Sequence, residues 1–191
     1  MRIGVISDTH GNIQALNKAL AIFEGADLIV HAGDVLYHPP KLPCGQHYDV
    51  RGCAEALNSS NVPILIAQGN CDPQVYEELL DMPVQSPYAY TSLDGCRLLV
   101  NHGHLLTTDQ MIDLARRYKA HYFISGHTHI PVLDNQGDLV LVNPGSPAHP
   151  KYELNGQPVP TVGLITDDGP RIINIADSTP LLTAQPPTPS T

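Results

Sequence analysis

The stretch RIGVISDTHGNIQALNKAL, residues 2–20, decides the fold. Residues 2–7 predict a short buried strand, and Asn12 is suited to cap a following helix. The apolar positions at helical spacing after this cap are Ile13, Leu16, Leu20 and Phe23. Asp8 and His10 then fall in the loop between strand and helix. A strand, a polar loop and a helix in this order indicate an α/β fold.

The same order recurs along the first two thirds of the chain. Residues 28–30, 64–67, 98–100 and 122–125 predict strands, and residues 109–118 predict a helix capped by Thr108. The polar residues that follow these four strands are Asp34, Asn70, His102 and His127. Each candidate ligand therefore lies beyond the carboxyl end of a strand, where open α/β sheets bind their ligands.

After residue 130 the pattern consists of strands alone. Residues 139–142, 161–165 and 171–175 predict strands separated by Asp-Gly and Asn-Gly turn signals, which favours a largely antiparallel second half. Together the two halves predict an α/β fold, a four-layer α/β/β/α sandwich of two mixed sheets, as a single domain over residues 1–176.

Two segments have unusual composition. Residues 38–52 form a Pro-rich stretch that is too long for a simple connection, and we expect it to overhang the site near Asp34. Residues 177–191 are rich in Pro, Thr and Ser, which is typical of an unstructured C-terminal tail.

Composition restricts the class of protein. A length of 191 residues with 42% apolar residues suits one globular domain, and a formal charge of -9 argues against an extended nucleic-acid surface. The sequence has no apolar run long enough for a membrane span and no features of a secretory signal, which predicts a cytoplasmic protein. Four cysteines without CxxC spacing favour reduced thiols. The sequence leaves open whether the protein forms a homo-oligomer.

Seven polar residues predict a metal centre: Asp8, His10, Asp34, Asn70, His102, His127 and His129. In an extended segment residues i and i+2 project to the same side, so both members of Asp8/His10 and of His127/His129 can reach one ion. Seven ligands exceed the need of one ion. If one carboxylate is shared, they supply two divalent ions with four ligands each and leave positions for water and substrate. The mixture of imidazole, carboxylate and amide favours Mn, with Zn, Fe or Ni as alternatives, over Ca or Mg.

The motifs Asp-x-His, Gly-Asp, Gly-Asn-Cys-Asp (69–72), Asn-His-Gly-His (101–104) and Gly-His-Thr-His (126–129) resemble those of the calcineurin-like metallophosphoesterases. Within that superfamily the chain is most similar to the small bacterial YfcE-type phosphodiesterases. The resemblance implies that one metal is held by Asp8, His10, Asp34 and His129. It implies that Asp34 also bridges to a second metal held with Asn70, His102 and His127.

The resemblance also implies the activity. Asp34, Asn70, Cys71 and His104 would take part in hydrolysing a small soluble phosphodiester through a hydroxide that bridges the metals, with His104 contacting a phosphate oxygen or orienting the nucleophile. Most superfamily members carry His where this chain has Cys71, a weaker acid, which favours substrates with good leaving groups. A phosphomonoesterase remains an alternative, as does a non-catalytic scaffold for protein binding like the retromer subunit of this superfamily.

Other polar residues are predicted to have structural roles or to lie near the substrate. Asp72 is expected to cap a helix that begins at Pro73, and His31 and His149 are expected to be structural. His38 either lines the substrate mouth or is simply exposed. The segment 143–146, Asn-Pro-Gly-Ser, either presents backbone N–H groups to the site or forms a tight turn.

Overall fold

This computed structural model describes residues 1–41 and 44–188. Its strands in chain order are β1 (Arg2–Ile6), β2 (Leu28–His31), β3 (Ile64–Ala67), β4 (Val84–Gln85), β5 (Ala89–Leu93), β6 (Cys96–Val100), β7 (Tyr122–Ile124), β8 (Pro131–Asn135), β9 (Val140–Pro144), β10 (Glu153–Leu154), β11 (Gln157–Pro158), β12 (Thr161–Thr166), β13 (Gly169–Asn174) and β14 (Pro180–Thr183). The helices are α1 (Ile13–Ile22), α2 (Val50–Asn58), α3 (Thr108–Arg117) and a 3-10 helix over Gln74–Leu79. In the described part of the chain no helix is long and apolar enough to cross a membrane.

Two mixed sheets form the centre of the molecule. The first has the order β14-β13-β12-β1-β2-β3-β4, with β1 to β4 parallel and β12 to β14 antiparallel. The second has the order β5-β6-β7-β9-β8, with β6, β7 and β9 parallel and the edge strands antiparallel. The late strands therefore do not form a separate half, because β12 to β14 extend the first sheet while β8 and β9 extend the second.

Side-chain alternation along the strands builds the layers. In β6, Leu98 and Val100 pack between the two sheets, whereas Leu99 faces α3. In β1, Ile3 and Val5 enter the same inter-sheet core, and Ile6 packs on the side of α1 and α2. Burying each such side chain contributes roughly 1.5–3 kcal/mol. The order of helices, sheet, sheet and helix confirms the predicted α/β/β/α sandwich.

Helix starts follow the capping chemistry of the sequence. The Asn12 side chain accepts from Ala15 N–H at the start of α1, as predicted. Helix α3 begins one residue earlier than predicted, because Thr107 rather than Thr108 is the N-cap and forms a capping box with Gln110. Asp72 caps no helix, since the 3-10 helix after Pro73 has no side-chain cap and the carboxylate is used elsewhere.

The expectation of an unstructured C-terminal tail is wrong for most of residues 177–191. Strand β14 pairs with β13, with Leu182 opposite Ile172, so tertiary pairing of an otherwise open edge outweighs the polar composition. The chain then continues to Thr188, whose N–H donates to Gly137 O at 2.8 Å. Residues 189–191, and residues 42–43 of the Pro-rich segment, lie outside the described residues. The rest of that segment forms a loop and the first residues of α2.

Candidate metal centre

Five of the predicted ligands converge in a buried cluster at the carboxyl ends of the strands. The buried members are Asp8, His10, Asp34, His102 and His129. Asp8 Oδ1 lies 3.3 Å from His129 Nε2 and 3.8 Å from His10 Nε2. Asp34 Oδ2 lies 3.3 Å from His102 Nε2 and 3.7 Å from His10 Nε2. Residues from four separate loops thus place their nitrogen and oxygen atoms around one small space.

Three histidine rings of this cluster are held by backbone carbonyls. Nδ1 of His10 donates to Tyr37 O at 2.9 Å, and Nδ1 of His102 donates to Ala32 O at 2.8 Å. Nδ1 of His129 donates to His149 O at 2.7 Å. A carbonyl oxygen only accepts, so Nδ1 carries a proton in each ring and Nε2 is the nitrogen that each ring turns towards the cluster. This is the usual orientation of metal-ligating histidines.

Each carboxylate is also held by one oxygen and presents the other. Asp8 Oδ2 accepts from His127 N–H at 2.9 Å, and Asp34 Oδ1 accepts from Cys71 N–H at 2.7 Å. The remaining oxygens face the histidine nitrogens. Asp8 Oδ1 is buried and has no hydrogen-bond partner among the described residues.

Lone pairs of carboxylate and imidazole that point at one another repel unless a proton or a metal cation lies between them. The structure gathers three sets whose ligand atoms lie within 4.8 Å of one another: Asp8, His10 and His129; Asp8, Asp34 and His102; and His10, Asp34 and Cys71. The unpartnered oxygen and the overlapping sets fit divalent cations with carboxylates in common. The site residues therefore suit a metal centre.

Without a metal cation, Asp34 and His102 shift each other's pKa. Burial disfavours charge on both partners, but the hydrogen bond and charge of Asp34 outweigh it and raise the pKa of His102 to about 9. Against the same burial, the hydrogen bond and charge of His102 lower the pKa of Asp34 to about 2. Burial lowers the pKa of His10. In the metal-free site His102 thus carries a second proton, on Nε2 beside Asp34, and a bound cation would displace it.

The backbone at these positions is left-handed, which the sequence did not reveal. Asp8, His10, Asp34, His127 and His129 have φ values of 55°, 45°, 57°, 67° and 60°. The expectation that each i, i+2 pair projects from an extended segment is therefore wrong, because the chain turns sharply at each ligand. Non-glycine residues in this region are uncommon, and such conformations concentrate at functional sites.

Two glycines allow the loops to approach one another. A Cβ at Gly69 would lie 2.2 Å from Asp34 Oδ1, and a Cβ at Gly126 would lie 1.9 Å from Ser7 Oγ. Any side chain at either position would push the neighbouring loop away. Their role is close approach rather than positive φ, since neither has a left-handed backbone.

The other predicted site residues lie at the rim. Asn70 and His127 are exposed, and Asn70 Oδ1 lies 3.1 Å from His102 Nε2. The amide of Asn70 also donates to Cys71 Sγ at 3.1 Å, which turns its oxygen inward. The His127 ring lies 5.3 Å, centre to centre, from that of His102, and the His104 ring lies 5.5 Å from it. The structure thus places the second predicted set less compactly than the first.

Asp72 supports the site in a way that sequence reasoning missed. Its carboxylate accepts from the N–H groups of Asp34 (2.7 Å), Val35 (2.8 Å) and Gly69 (2.8 Å). It thereby ties the loop after β2 to the loop after β3. Its position in the Gly-Asn-Cys-Asp motif was the available signal.

His31 also has a supporting role. It is fully buried, its Nε2 lies 2.9 Å from Thr9 Oγ1, and its Nδ1 accepts from Gly33 N–H at 3.2 Å. Burial lowers its pKa to about 3, so the ring is neutral. It joins the Asp8 and Asp34 loops beneath the cluster, and no ligand spacing in the sequence marks it.

The segment 143–146 forms a buried turn that braces the site through side chains. Asn143 Nδ2 donates to Gly126 O at 2.7 Å, and Asn143 Oδ1 accepts from Gly145 N–H at 2.9 Å. Ser146 Oγ donates to Asp8 O at 2.8 Å. Of the two interpretations of this motif, the structure favours the turn.

A cavity of about 690 Å³ opens above the cluster. It is lined by predicted site residues and by residues of two flanking segments: His10, Asp34, Asn70, Cys71, His127 and His129, together with Tyr37, Pro39, Pro40, Lys41 and Lys151. Residues 39–41 of the Pro-rich segment therefore line the cavity. His38 does not line this cavity; its ring packs near Tyr48 and His149, at centre distances of 5.6 and 6.1 Å.

Comparison with known proteins agrees with this geometry. The model of the "Calcineurin-like phosphoesterase superfamily domain" matches residues 1–166. "Phosphodiesterase YfcE" of Escherichia coli K12 is 32% identical over 93% of this chain and 94% of its own. A "Probable metallophosphoesterase" of Methanothermobacter thermautotrophicus is 31% identical over 90% of this chain and 89% of its own.

Solved structures share the fold. The structure of the Escherichia coli phosphoesterase Yfce superposes with a TM-score of 0.82 and 29% identity over 97% of this chain and 99% of that one. Vps29 of Entamoeba histolytica, solved with Zn²⁺, superposes with a TM-score of 0.67 over 97% of this chain and 99% of that one. At 17% identity, the latter likeness concerns the fold alone.

Proposed function

This chain belongs to the calcineurin-like phosphoesterase superfamily, and from the geometry of its site we propose that it is a metal-dependent phosphodiesterase acting on a small phosphodiester. The observation that carries the proposal is the buried cluster in which imidazole nitrogens and carboxylate oxygens face one another, with Asp8 Oδ1 unpartnered among the described residues. Relatives named as phosphodiesterases support the reaction type.

Two cations fit the donor set. One would be held by Asp8, His10, Asp34 and His129, and the other by Asp34, Asn70, His102 and His127. Mn²⁺ is the proposed metal, with Zn²⁺, Fe²⁺ and Ni²⁺ as alternatives, because imidazole and carboxylate together suit these ions. When bound, such a pair of ions supplies an activated water as nucleophile and neutralises charge on the phosphoryl oxygens.

Residues of the chain would position the substrate beside the cluster. Nδ1 of His104 is buried without a hydrogen-bond partner in the part of the chain that the structure describes, and its ring lies 6.0 Å from that of His127. His104 would contact a phosphate oxygen or orient the nucleophile beside the His127 ring. Cys71 would hold Asn70 in its inward orientation through the hydrogen bond to its sulfur.

Cys71 is a poor general acid in this environment. Burial, together with the charge of Asp34, raises the pKa of its thiol to about 12. A leaving alkoxide would receive little proton assistance from such a group. Esters with good leaving groups should therefore react best, and the rate should fall steeply as the leaving group becomes more basic.

The test is turnover by metal-loaded protein. After reconstitution with Mn²⁺, the protein should hydrolyse bis(p-nitrophenyl) phosphate faster than p-nitrophenyl phosphate, and excess chelator should abolish both activities. Faster hydrolysis of the monoester would favour a phosphomonoesterase. Metal binding without turnover of either ester would favour a protein-binding scaffold, the alternative suggested by the fold shared with Vps29.

A further inference from the structure

The mouth of the cavity has a charge opposite to that of the molecule. The chain carries 19 acidic and 10 basic residues, yet the only carboxylate among the described residues that lines the cavity is Asp34, a proposed metal ligand. Two of the chain's four lysines, Lys41 and Lys151, line the same cavity. Neither forms an ion pair with any residue that the structure describes.

Both lysines belong to segments that hold the buried cluster. Lys151 N–H donates to His129 O at 3.1 Å, two residues after the carbonyl of His149 accepts from the His129 ring. Lys41 lies four residues after Tyr37, whose carbonyl accepts from the His10 ring. Both lysines line the cavity and belong to the segments whose carbonyls hold His10 and His129.

The cavity also has an aromatic and proline wall. Tyr37 is 38% exposed, and its ring packs at 5.9 Å against that of Tyr76. Pro39 and Pro40 continue this wall between Tyr37 and Lys41. Flat exposed rings of this kind stack on nucleobases with little sequence preference.

The cavity is large enough for more than the reacting phosphate. Pockets of about 300–1,000 Å³ enclose drug-sized ligands, and this cavity of about 690 Å³ is far larger than one phosphate needs. The metal cluster accounts for the reacting phosphate. The aromatic and proline wall and the two lysines can therefore contact the rest of the substrate.

We propose that the substrate is a phosphodiester of a nucleoside that carries a second phosphate. Its base packs on Tyr37, Pro39 and Pro40, and its second phosphate lies between Lys41 and Lys151 while the diester occupies the metal cluster. This inference rests on the proposed phosphodiesterase function and adds the class of its substrate.

The experiment compares ligands that differ by one phosphate. Thymidine 3′,5′-bisphosphate and thymidine 5′-phosphate are titrated into Mn²⁺-loaded protein by calorimetry, a readout that needs no turnover. The bisphosphate should bind about tenfold more tightly, because its second phosphate faces two unpaired cations. This preference should fall below about twofold in the double variant Lys41→Gln/Lys151→Gln. The matched double variant Lys18→Gln/Lys119→Gln, which removes the same charge elsewhere, should keep it.

The base contact is tested at Tyr37. Tyr37→Ala keeps the backbone carbonyl that holds His10 but should weaken thymidine 3′,5′-bisphosphate about fivefold or more, since stacking contributes on the order of 1–3 kcal/mol per base. Binding of 1,3-propanediol bisphosphate, which has both phosphates and no ring, should be unaffected. Tyr37→Phe should retain most of the nucleotide affinity.

The results separate this proposal from the function on which it rests. Equal affinity of wild-type protein for the two thymidine nucleotides, or a preference that survives in Lys41→Gln/Lys151→Gln, would overturn the assigned substrate class. Hydrolysis of bis(p-nitrophenyl) phosphate by the same preparation would then leave the phosphodiesterase function standing. A preference for the bisphosphate without turnover of bis(p-nitrophenyl) phosphate would support the assigned ligand class and contradict the phosphodiesterase function.

Discussion

Replacing Asp34 by Asn is the most direct test of the metal centre. The carboxylate takes part in two of the three ligand sets, and its Oδ2 lies 3.3 Å from His102 Nε2 and 3.7 Å from His10 Nε2. Asn has the same shape and can still accept from Cys71 N–H through one oxygen. The substitution therefore removes one negative charge and one inward-facing oxygen while leaving the loop in place.

The effect on the metal-free protein can be worked from the pKa of Asp34, which the hydrogen bond and charge of His102 lower from 3.8 to about 2 against its burial. Nearly two pKa units correspond to about 2.5 kcal/mol, at about 1.4 kcal/mol per unit. Since the folded pKa is depressed, this stabilisation is present above about pH 4 and is lost as the pH falls towards 2. The variant should thus be less stable than wild type at pH 7 and equal to it near pH 2.

The metal-loaded protein should respond more strongly. Loss of groups that merely orient metal ligands lowers activity about 10–100-fold, so loss of a shared ligand should lower turnover of bis(p-nitrophenyl) phosphate at least about a hundredfold. Elemental analysis should find less than two ions per chain. Asp113→Asn, on the exposed face of α3, is the matched control and should change neither quantity.

The assays are urea unfolding with chelator at pH 7 and at low pH, elemental analysis, and initial rates. An Asp34→Asn protein with wild-type metal content and wild-type turnover would refute the assignment of Asp34 as a shared ligand. Reduced turnover together with an unfolded protein would not be attributed to the metal, which is why the unfolding curves are measured first.

Three further predictions follow from residues around the cluster. Cys71→His should raise the rate on p-nitrophenyl phosphate relative to bis(p-nitrophenyl) phosphate. The reason is that imidazolium is a better acid than the Cys71 thiol, whose pKa is raised to about 12 by burial and by the charge of Asp34. An unchanged ratio of the two rates would exclude a role of this position in leaving-group assistance. Burial lowers the pKa of His31 from 6.5 to about 3. As the pH falls from 6.5 towards 3, the free energy of unfolding of the metal-free protein should therefore decrease by about 1.4 kcal/mol per pH unit because of this group. The free energy of unfolding of His31→Gln should depend less steeply on pH. Gly69→Ala would place a Cβ 2.2 Å from Asp34 Oδ1 and should lower turnover at least about tenfold, whereas Gly45→Ala, where a Cβ meets nothing within 4 Å, should leave the rate unchanged.

The sheets were predictable where hydrophobic pattern and burial coincide. Residues 28–30, 64–67 and 98–100 are short apolar runs, and all of them became strands buried in the sandwich. Strands that owe their existence to a neighbour were not predictable in this way. Strand β14 has a polar, Pro-rich context, and pairing with β13 determines its conformation.

The identities of the candidate ligands were predictable, but their geometry was not. A polar residue after an apolar run marks the end of a strand, and Asp8, Asp34 and His102 all follow such runs. A left-handed φ at Asp8 or Asp34 leaves no sequence signature beyond a preference for Asp, Asn and His. The carbonyls of Ala32, Tyr37 and His149 orient the histidines, and every residue has a carbonyl, so sequence alone could not identify these three.

Two of these carbonyls link the metal centre to the proposed substrate-binding wall. The carbonyls of Tyr37 and His149 hold His10 and His129, and the same two segments run on to Lys41 and Lys151 at the mouth. The ring of His102, by contrast, is held by the carbonyl of Ala32, the residue that follows β2. A backbone shift in residues 37–41 would therefore move a histidine of the first ligand set together with the wall that meets the substrate. In the second set, His102 would be disturbed less, because the carbonyl that holds it directly follows strand β2.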